Sequence, residues 1–405
     1  MRVGIDGACW LNRRGYGRFT RELVAAMVPL DRSVEYTLLF DFDAADAPPA
    51  PEGVRVVRIP TRRPGARSAA ADGRRSLRDL WLTSRAISRE RFDVVFFPSA
   101  YTYVPVTGPG RIAVVIHDVI AEELPQQVFA TRRAAAQWRL KLLAARAQAD
   151  LVVTVSEASR QGIARRFGIT AQRMLVISEA ANGCFRPLPH DQRMLALLAR
   201  LGLVDQRFVL YVGGISPHKN LAALLDAFAA LRAQPEYADY RLVLAGDFSG
   251  DVFYSAHAAL RQQSARLHLD GTVCFTGYVE DEDLALLYNA AAAFVLPSLQ
   301  EGFGLPAIEA LACGTPVLVS ARGALPEIVA EAGLLFEPER PGELLAALQR
   351  ITGDGELRAN LRQRGPQRAA QFRWERAGQD LLHAFYGLHS GVAAAPVVAG
   401  AHPLG

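Results

Sequence analysis

Short runs of β-branched and aromatic residues alternate with Ala-, Leu- and Arg-rich stretches along nearly the whole chain. This alternation constrains the fold more than any single motif. Strands are expected at residues 2–6, 36–40, 54–59, 94–97, 112–116 and 151–155, with helices at 16–28, 76–90, 132–149 and 157–167. The strand runs are apolar at consecutive positions, so both faces must be covered, and strand–helix–strand order then gives a parallel sheet between helices. Around Phe185-Arg-Pro-Leu-Pro189 the pattern pauses, then restarts with strands at 208–213, 242–245, 273–276, 293–296 and 316–319. The expectation is an α/β chain of two doubly wound domains, residues 1–187 and 188–371, which 405 residues suffice to fill with separate cores. A helix at 372–390 follows, then a tail at 391–405 with little to bury, expected to be disordered. The Arg-, Gly-, Ala- and Pro-rich stretch 61–75 reads as an exposed, mobile loop.

Charge narrows the partners. Residues 1–190 carry 28 Lys and Arg against 18 Asp and Glu, leaving 17 against 23 for the remainder. Opposite signs in the two halves argue against a uniform nucleic-acid surface, and no nucleic-acid partner is expected. The basic half fits an anionic partner such as a lipid headgroup or lipid diphosphate, or serves solubility alone. Stretch 131–150 reads as a basic amphipathic helix carrying Trp138, either lying on anionic lipid or simply solvated. The chain opens directly as a strand, with no leader and no apolar run of bilayer length. That reads as cytoplasmic, peripheral at most on the inner face of the membrane. Cys9, Cys184, Cys274 and Cys313 are scattered without zinc spacing and read as free thiols; no metal site is expected. Lys141 and Lys219 are the only lysines, so a position that keeps one stands out.

In open α/β sheets ligands bind beyond the carboxyl ends of the strands, so the loops there carry the chemistry. Gly15 and Gly17 in 12-NRRGYGRFTREL-23 let the backbone approach a ligand, and the helix start behind them suits a phosphate. They also half-resemble a dinucleotide fingerprint, weakened by Thr20 in place of the third glycine and by the long gap after the strand. His117-Asp118 closes the strand in 114-VVIHDVI-120, as a hydrogen-bonding and proton-shuttling pair or as a structural His–Asp contact. In 210-LYVGGISPHKNLAALL-225, Lys219 stands at a helix start, where an ammonium can neutralise a diphosphate. After the strand in 276-TGYVEDEDLALLYNAA-291, the backbone at Tyr278-Val279 can meet a base, and Asp281, Glu282 and Asp283 match the helix dipole. In 300-QEGFGLPAIEALACGTPVL-318, Glu301 precedes a helix start and Glu309 lies about one turn inside it. The N–H groups of Phe303, Gly304, Leu305 and Ala307 stand between them without helical partners. Such a corner suits a polyhydroxylated, phosphorylated ligand. A capping box at Ser298-x-x-Glu301 is the simpler alternative, although it leaves Gly302 and Gly304 unexplained.

Taken together, the Gly-rich loop, His117-Asp118, Val212-Gly213-Gly214 with Lys219-Asn220, Gly277-Tyr-Val279 and Glu301-Gly-Phe-Gly-Leu-Pro with Glu309 resemble the family-4 glycosyltransferases, over roughly residues 1–385. The resemblance implies the GT-B fold: two facing Rossmann-like domains with a cleft between them, and a helix at 372–390 crossing back to the first. It implies a nucleotide-diphosphate sugar as donor substrate, retention of anomeric configuration, and no cofactor or metal. Glu309 would then bind the ribose, and Glu301 with the Phe303, Gly304 and Leu305 backbone the donor sugar. Lys219, helped by Gly15 and Gly17, would stabilise the departing diphosphate, Val279 would hold the base, and His117 would lie beside the reacting sugar. Asp41-Phe-Asp43, which mimics a metal motif of another glycosyltransferase fold, then reads as a strand end. Many relatives have an arginine where this chain has Gly214 or His218, leaving His218, or an arginine from elsewhere, as the second cation. The form around Lys219 resembles bacterial mannosyltransferases of surface polysaccharide synthesis, so GDP-mannose is the first donor expected and a glycan or lipid-linked saccharide the acceptor. A sugar-nucleotide 2-epimerase of the same fold, or an inactive nucleotide-sugar-binding protein, is the alternative.

Overall fold

The computed structural model describes residues 1–12, 15–41, 47–61, 76–246, 256–340 and 342–391. Most of the 61–75 stretch, Phe42-Asp43 and the tail beyond Gly391 lie outside the described residues. The chain divides into two compact units: Met1–Glu179 with Arg373 onward, and Ala180–Phe372. The boundary falls eight residues before the expected 187/188 because the linker belongs physically to the second unit. There Leu188 N donates to Asn289 Oδ1 at 2.8 Å, Asn289 Nδ2 donates to Arg186 O at 3.0 Å, and Phe185 packs edge-on against Tyr288.

Unit 1 holds seven strands: β1 (Arg2–Asp6), β2 (Glu35–Phe40), β3 (Arg55–Arg58), β4 (Val94–Phe97), β5 (Arg111–Val115), β6 (Leu151–Thr154) and β7 (Met174–Val176). All pair in parallel, in the order β3-β2-β1-β4-β5-β6-β7. Val94–Phe97 and Leu151–Thr154 are buried at every residue, as strands covered on both faces must be. The connecting helices are α1 (Gly15–Met27), α2 (Leu77–Arg89), α3 (Arg132–Gln148) and α4 (Glu157–Phe167). Ser76, Thr131 and Ser156 cap the last three, each accepting a backbone N–H three residues on. The C-terminal helix Trp374–Ser390 packs against α1 in this same unit.

Unit 2 holds β8 (Phe208–Val212), β9 (Arg241–Ala245), β10 (Val273–Gly277), β11 (Ala293–Leu296), β12 (Val317–Ser320) and β13 (Gly333–Phe336). They form a parallel sheet in the order β10-β9-β8-β11-β12-β13. Its helices are α5 (Gln192–Arg200), α6 (Leu221–Arg232), α7 (His257–Arg266), α8 (Asp281–Ala290), α9 (Leu305–Ala312), α10 (Glu343–Gly353) and α11 (Gly355–Ala369). Strand order reverses direction between β1 and β4 in one unit, and between β8 and β11 in the other. A crevice opens at such a reversal, beyond the carboxyl ends of the two strands. Among the described residues, no helix is long and apolar enough to cross a membrane.

Candidate functional site

At the unit 2 reversal, β8 runs into a turn built on close backbone approaches. Gly213 has φ +149°, and a side chain there would meet the Tyr211 hydroxyl, which donates to Gly214 O at 2.6 Å. The chain then makes a single tight turn at Pro217–Lys219, and Asn220 takes the left-handed conformation (φ 58°) that starts α6. From the neighbouring strand β11 comes the loop carrying Ser298 and Glu301. The two loops are tied by Leu299 N donating to His218 O at 2.8 Å. Across them, Lys219 Nζ lies 2.7 Å from Glu301 Oε1, with the side chains only 18% and 10% exposed. Ser298 Oγ donates to the same carboxylate oxygen at 2.6 Å. The sequence spacing that reads as a capping box is therefore a side-chain contact, since α9 does not start until Leu305.

Burial would raise the Glu301 carboxyl, but the Lys219 charge and hydrogen bond and the Ser298 hydrogen bond together hold it below its usual range. His218 behaves in the opposite way. Burial, followed by the neighbouring Lys219 charge, pushes it down to about 3, and its Nδ1 contacts Ser216 Oγ at 3.1 Å. Both causes favour the neutral imidazole in the ligand-free corner, which weighs against His218 as the second cation there.

After Glu301 the chain turns through Gly304 (φ +96°), which has no side chain to cap α9, and Pro306 occupies its first turn. The N–H groups of Phe303, Gly304 and Leu305 make no hydrogen bond among the described residues. Ala307 N, expected to be free as well, instead donates to Gly304 O at 2.8 Å. Glu309, on the inner side of α9, is 1% exposed and accepts from the Tyr288 hydroxyl at 3.0 Å. Val279 follows the end of β10, the sheet's edge strand, beyond Gly277 at φ +73°. One residue of this corner escaped the sequence reading. Gly323 follows β12 with φ +59°, and a side chain on it would stand 2.4 Å from Glu301 O. The next residue, Ala324, donates its N–H to that same carbonyl at 3.1 Å. The one signal was a glycine just past a strand end.

At the unit 1 reversal, α1 begins at Gly15, and a side chain on Gly17 would lie 1.9 Å from Asn12 O. His117 does not pair with Asp118, whose carboxylate instead accepts Ile120 N at 2.9 Å. Its Nε2 contacts Pro98 O at 3.2 Å, its Nδ1 lies 3.8 Å from Glu179, and Phe19 packs edge-on against the ring. Burial pushes His117 down to about 4, so this imidazole is neutral as well. Asp41 is buried at the end of β2. Among the described residues, no three His, Cys, Asp or Glu side chains cluster as metal ligands would.

The structure thus brings Lys219, His218, Ser298, Glu301 and Gly323 together on one unit, and sets His117 and the Gly15–Gly17 turn on the other. Two family models match the chain, one for each unit. "Glycosyltransferase Family 4" matches residues 13–182, and "Glycosyl transferases group 1" matches residues 199–368. Among curated proteins, the chain is similar to the O-antigen chain mannosyltransferase B of Escherichia coli, 35% identical over 239 residues, covering 58% of this chain and 60% of that protein. It is also similar to the D-inositol 3-phosphate glycosyltransferase of Salinispora arenicola, 32% identical over 247 residues, covering 59% and 55%. The chain therefore spans less than two thirds of the length of these relatives. Among solved structures, a sucrose-phosphate synthase from Thermosynechococcus elongatus superposes with a TM-score of 0.75 at 22% identity, covering 96% of this chain and 100% of that one. Anabaena HepE in complex with UDP and glucose gives 0.70 at 20% identity, covering 96% and 100%. At these identities the likeness is one of fold.

Proposed function

The chain belongs to the group 1 glycosyltransferases, and on that premise we propose that it moves a hexose from a nucleotide-diphosphate donor to a glycan or lipid-linked saccharide, with retention and without a metal. GDP-mannose is the donor proposed first, supported by the similarity to the O-antigen chain mannosyltransferase B. The observation that carries the reading is the ion pair of Lys219 and Glu301 at the unit 2 reversal. A cation for phosphate and an acceptor for hydroxyls there serve the diphosphate and the sugar joined to it. In this proposal Lys219 moves to the diphosphate, and Glu301 takes the donor sugar's hydroxyls beside the Phe303–Leu305 N–H groups. Glu309 is assigned the ribose, the Val279 backbone the base, and His117 the reacting sugar, with Gly15 and Gly17 and the Gly214 turn admitting the phosphates.

The chemistry is a front-side displacement. The acceptor oxygen bonds to the anomeric carbon on the face the diphosphate leaves, and the carbon–oxygen bond to phosphate breaks with its electron pair staying on the phosphate oxygen. That oxygen takes the acceptor's proton, so the protein positions the groups and stabilises charge. With His218 neutral, Lys219 carries the charge stabilisation from this loop, a contribution on the order of 2–4 kcal/mol in the transition state. A saccharide acceptor linked to lipid would place the enzyme at the cytoplasmic face of a membrane.

The test is a thermal-shift panel of nucleotide sugars and free nucleotides without added metal, then transfer to acceptor pools. A donor at a hundred times its Kd adds about 2.7 kcal/mol. A shift with one nucleotide class, absent in Glu309→Ala, names the donor. No shift with any nucleotide overturns the reading, and conversion of the donor with no acceptor present would make the protein an epimerase.

A further inference from the structure

Two helices of unit 1 turn apolar side chains outward among arginines. On α2, Leu77 is 85% exposed and Trp81 55%; on α3, Leu140 is 69% and Leu143 55% exposed. Each set follows helical spacing. Leu77, Trp81 and Arg85 form one stripe, with the Arg85 guanidinium 4.9 Å over the Trp81 ring; Ala136, Leu140, Leu143 and Ala147 form the other. Exposed Arg78 flanks the first, and exposed Arg132, Arg133 and Arg139 flank the second. These last three make no ion pair among the described residues, and α3 carries no acidic residue along its length. The one carboxylate within α2, Asp79, is buried.

The stripes share one side of the sheet. Both helices lie on connections running the same way along it, β3 to β4 and β5 to β6, and right-handed crossovers place such helices on one face. Their carboxyl ends are joined through consecutive residues of one loop. Thr107 N donates to Ser88 Oγ at 3.0 Å, while Gln148 accepts Val106 N at 3.0 Å and donates to Val106 O at 2.9 Å. The inner side of α3 is fully engaged, with Trp138 stacked on Tyr101 at 4.6 Å and donating to Glu122 at 2.5 Å. The outward stripes are the exposed sides of the two helices.

We propose that this α2–α3 face docks on an anionic lipid bilayer, with Leu77, Trp81, Leu140 and Leu143 entering the headgroup boundary and the arginines meeting the phosphates. The charge decides the occupant: leucine and tryptophan flanked by arginines, with no exposed carboxylate within either helix, match an anionic interface, whereas a second copy of the face would oppose arginine to arginine. The surface belongs to unit 1 and the Lys219–Glu301 pair to unit 2, so it stands or falls independently of the sugar-transfer reading, though it would explain how a lipid-linked acceptor is reached.

The chain carries its own reporter. Of four tryptophans, Trp10, Trp138 and Trp374 are buried, leaving Trp81 as the exposed one. Intrinsic fluorescence and co-sedimentation would be measured with vesicles of phosphatidylcholine alone and with phosphatidylglycerol added. Emission is expected to shift to the blue only with the anionic vesicles. Trp81→Phe should lose the shift yet still sediment, and a Leu140→Glu, Leu143→Glu variant with an unchanged melting temperature should do neither. Replacing Arg132, Arg133 and Arg139 by Gln should lower partition on the order of a hundredfold, each arginine near such a surface contributing about 1 kcal/mol. Unchanged emission with anionic vesicles overturns the proposal. So does a shift that tracks protein concentration without lipid, which would assign the face to self-association. Nucleotide-sugar binding by the same samples reads the other proposal separately.

Discussion

At the scale of single residues, adjacent strands β8 and β11 deliver Lys219 and Glu301, 82 positions apart in sequence, into a largely buried ion pair at 2.7 Å. The pair also has an energetic consequence. Removing one partner leaves the other charge largely buried and uncompensated, at a cost of about 3 kcal/mol, whereas removing both does not. Lys219→Met should therefore destabilise unit 2, and the double variant Lys219→Met, Glu301→Gln should recover much of the loss in a urea melt. Sugar transfer should stay abolished in both. If the double variant is no more stable than the single ones, the pair does not hold the ligand-free corner together. The scarcity of lysine marks Lys219 in the sequence and the glycine-rich turn marks Glu301, but nothing in their spacing says that strand order β8-β11 joins them. Gly323 makes a second residue-scale case. With φ +59° and Glu301 O at 2.4 Å, Gly323→Ala adds a left-handed alanine, about 1 kcal/mol or more, to a backbone clash. Lower stability together with lost donor binding is expected. Unchanged donor affinity would show that Glu301 does not depend on this support.

At the scale of elements, strands buried throughout were legible even at four residues, and two edge strands were not. Met174–Val176 and Gly333–Phe336 stand at the ends of their sheets, incompletely buried, and only pairing with β6 and β12 defines them. The segment after β5 shows what an element end can do that its letters do not reveal. His117 and Glu122 sit on the same stretch, and burial shifts both, the imidazole down to about 4 and the carboxyl up to about 7. Burial leads the Glu122 shift, against the opposing hydrogen bond from Trp138. The signs differ in consequence. A carboxyl raised in the folded state contributes stability that is full below its unfolded value near 4.5 and is lost as pH rises through about 7. A histidine lowered in the folded state contributes stability that is present above about 6.5 and lost as pH falls towards about 4. Glu122→Gln, which keeps an acceptor for Trp138, should accordingly raise the unit 1 melting transition at pH 8 by on the order of 2 kcal/mol, with the gain fading by pH 5. Melting curves at both pH values decide it. An equal gain at both would mean that Glu122 ionises normally.

At the scale of the whole molecule, the repeated strand–helix rhythm revealed the two parallel sheets, because an apolar run covered on both faces permits little else. The membership of the last helix is a different kind of fact. An amphipathic stretch of that length can pack on either unit, and only the resemblance, not its own residues, pointed to the first. The structure shows why it packs there. Leu381 and Phe385 are wholly buried, Phe385 meets Phe96 of β4 at 5.5 Å, and Trp374 meets Phe19 of α1 at 6.0 Å. Gly378 is the point of closest approach: a side chain there would stand 3.0 Å from the backbone of Met27. A bulky side chain must therefore push the helix off α1, at a cost of about 1–3 kcal/mol or more. Gly378→Leu should then lower the melting transition of unit 1, by several degrees at about 2–4 °C per kcal/mol. Hydrogen exchange should quicken in α1 and β4 while α6 and α9 stay protected. A nucleotide sugar that stabilises unit 2 should still do so in this variant, since Lys219, Glu301 and Glu309 are untouched. Quickened exchange in α6 and α9 instead would mean that the last helix stabilises the donor-binding unit, which its contacts with α1 and β4 do not support.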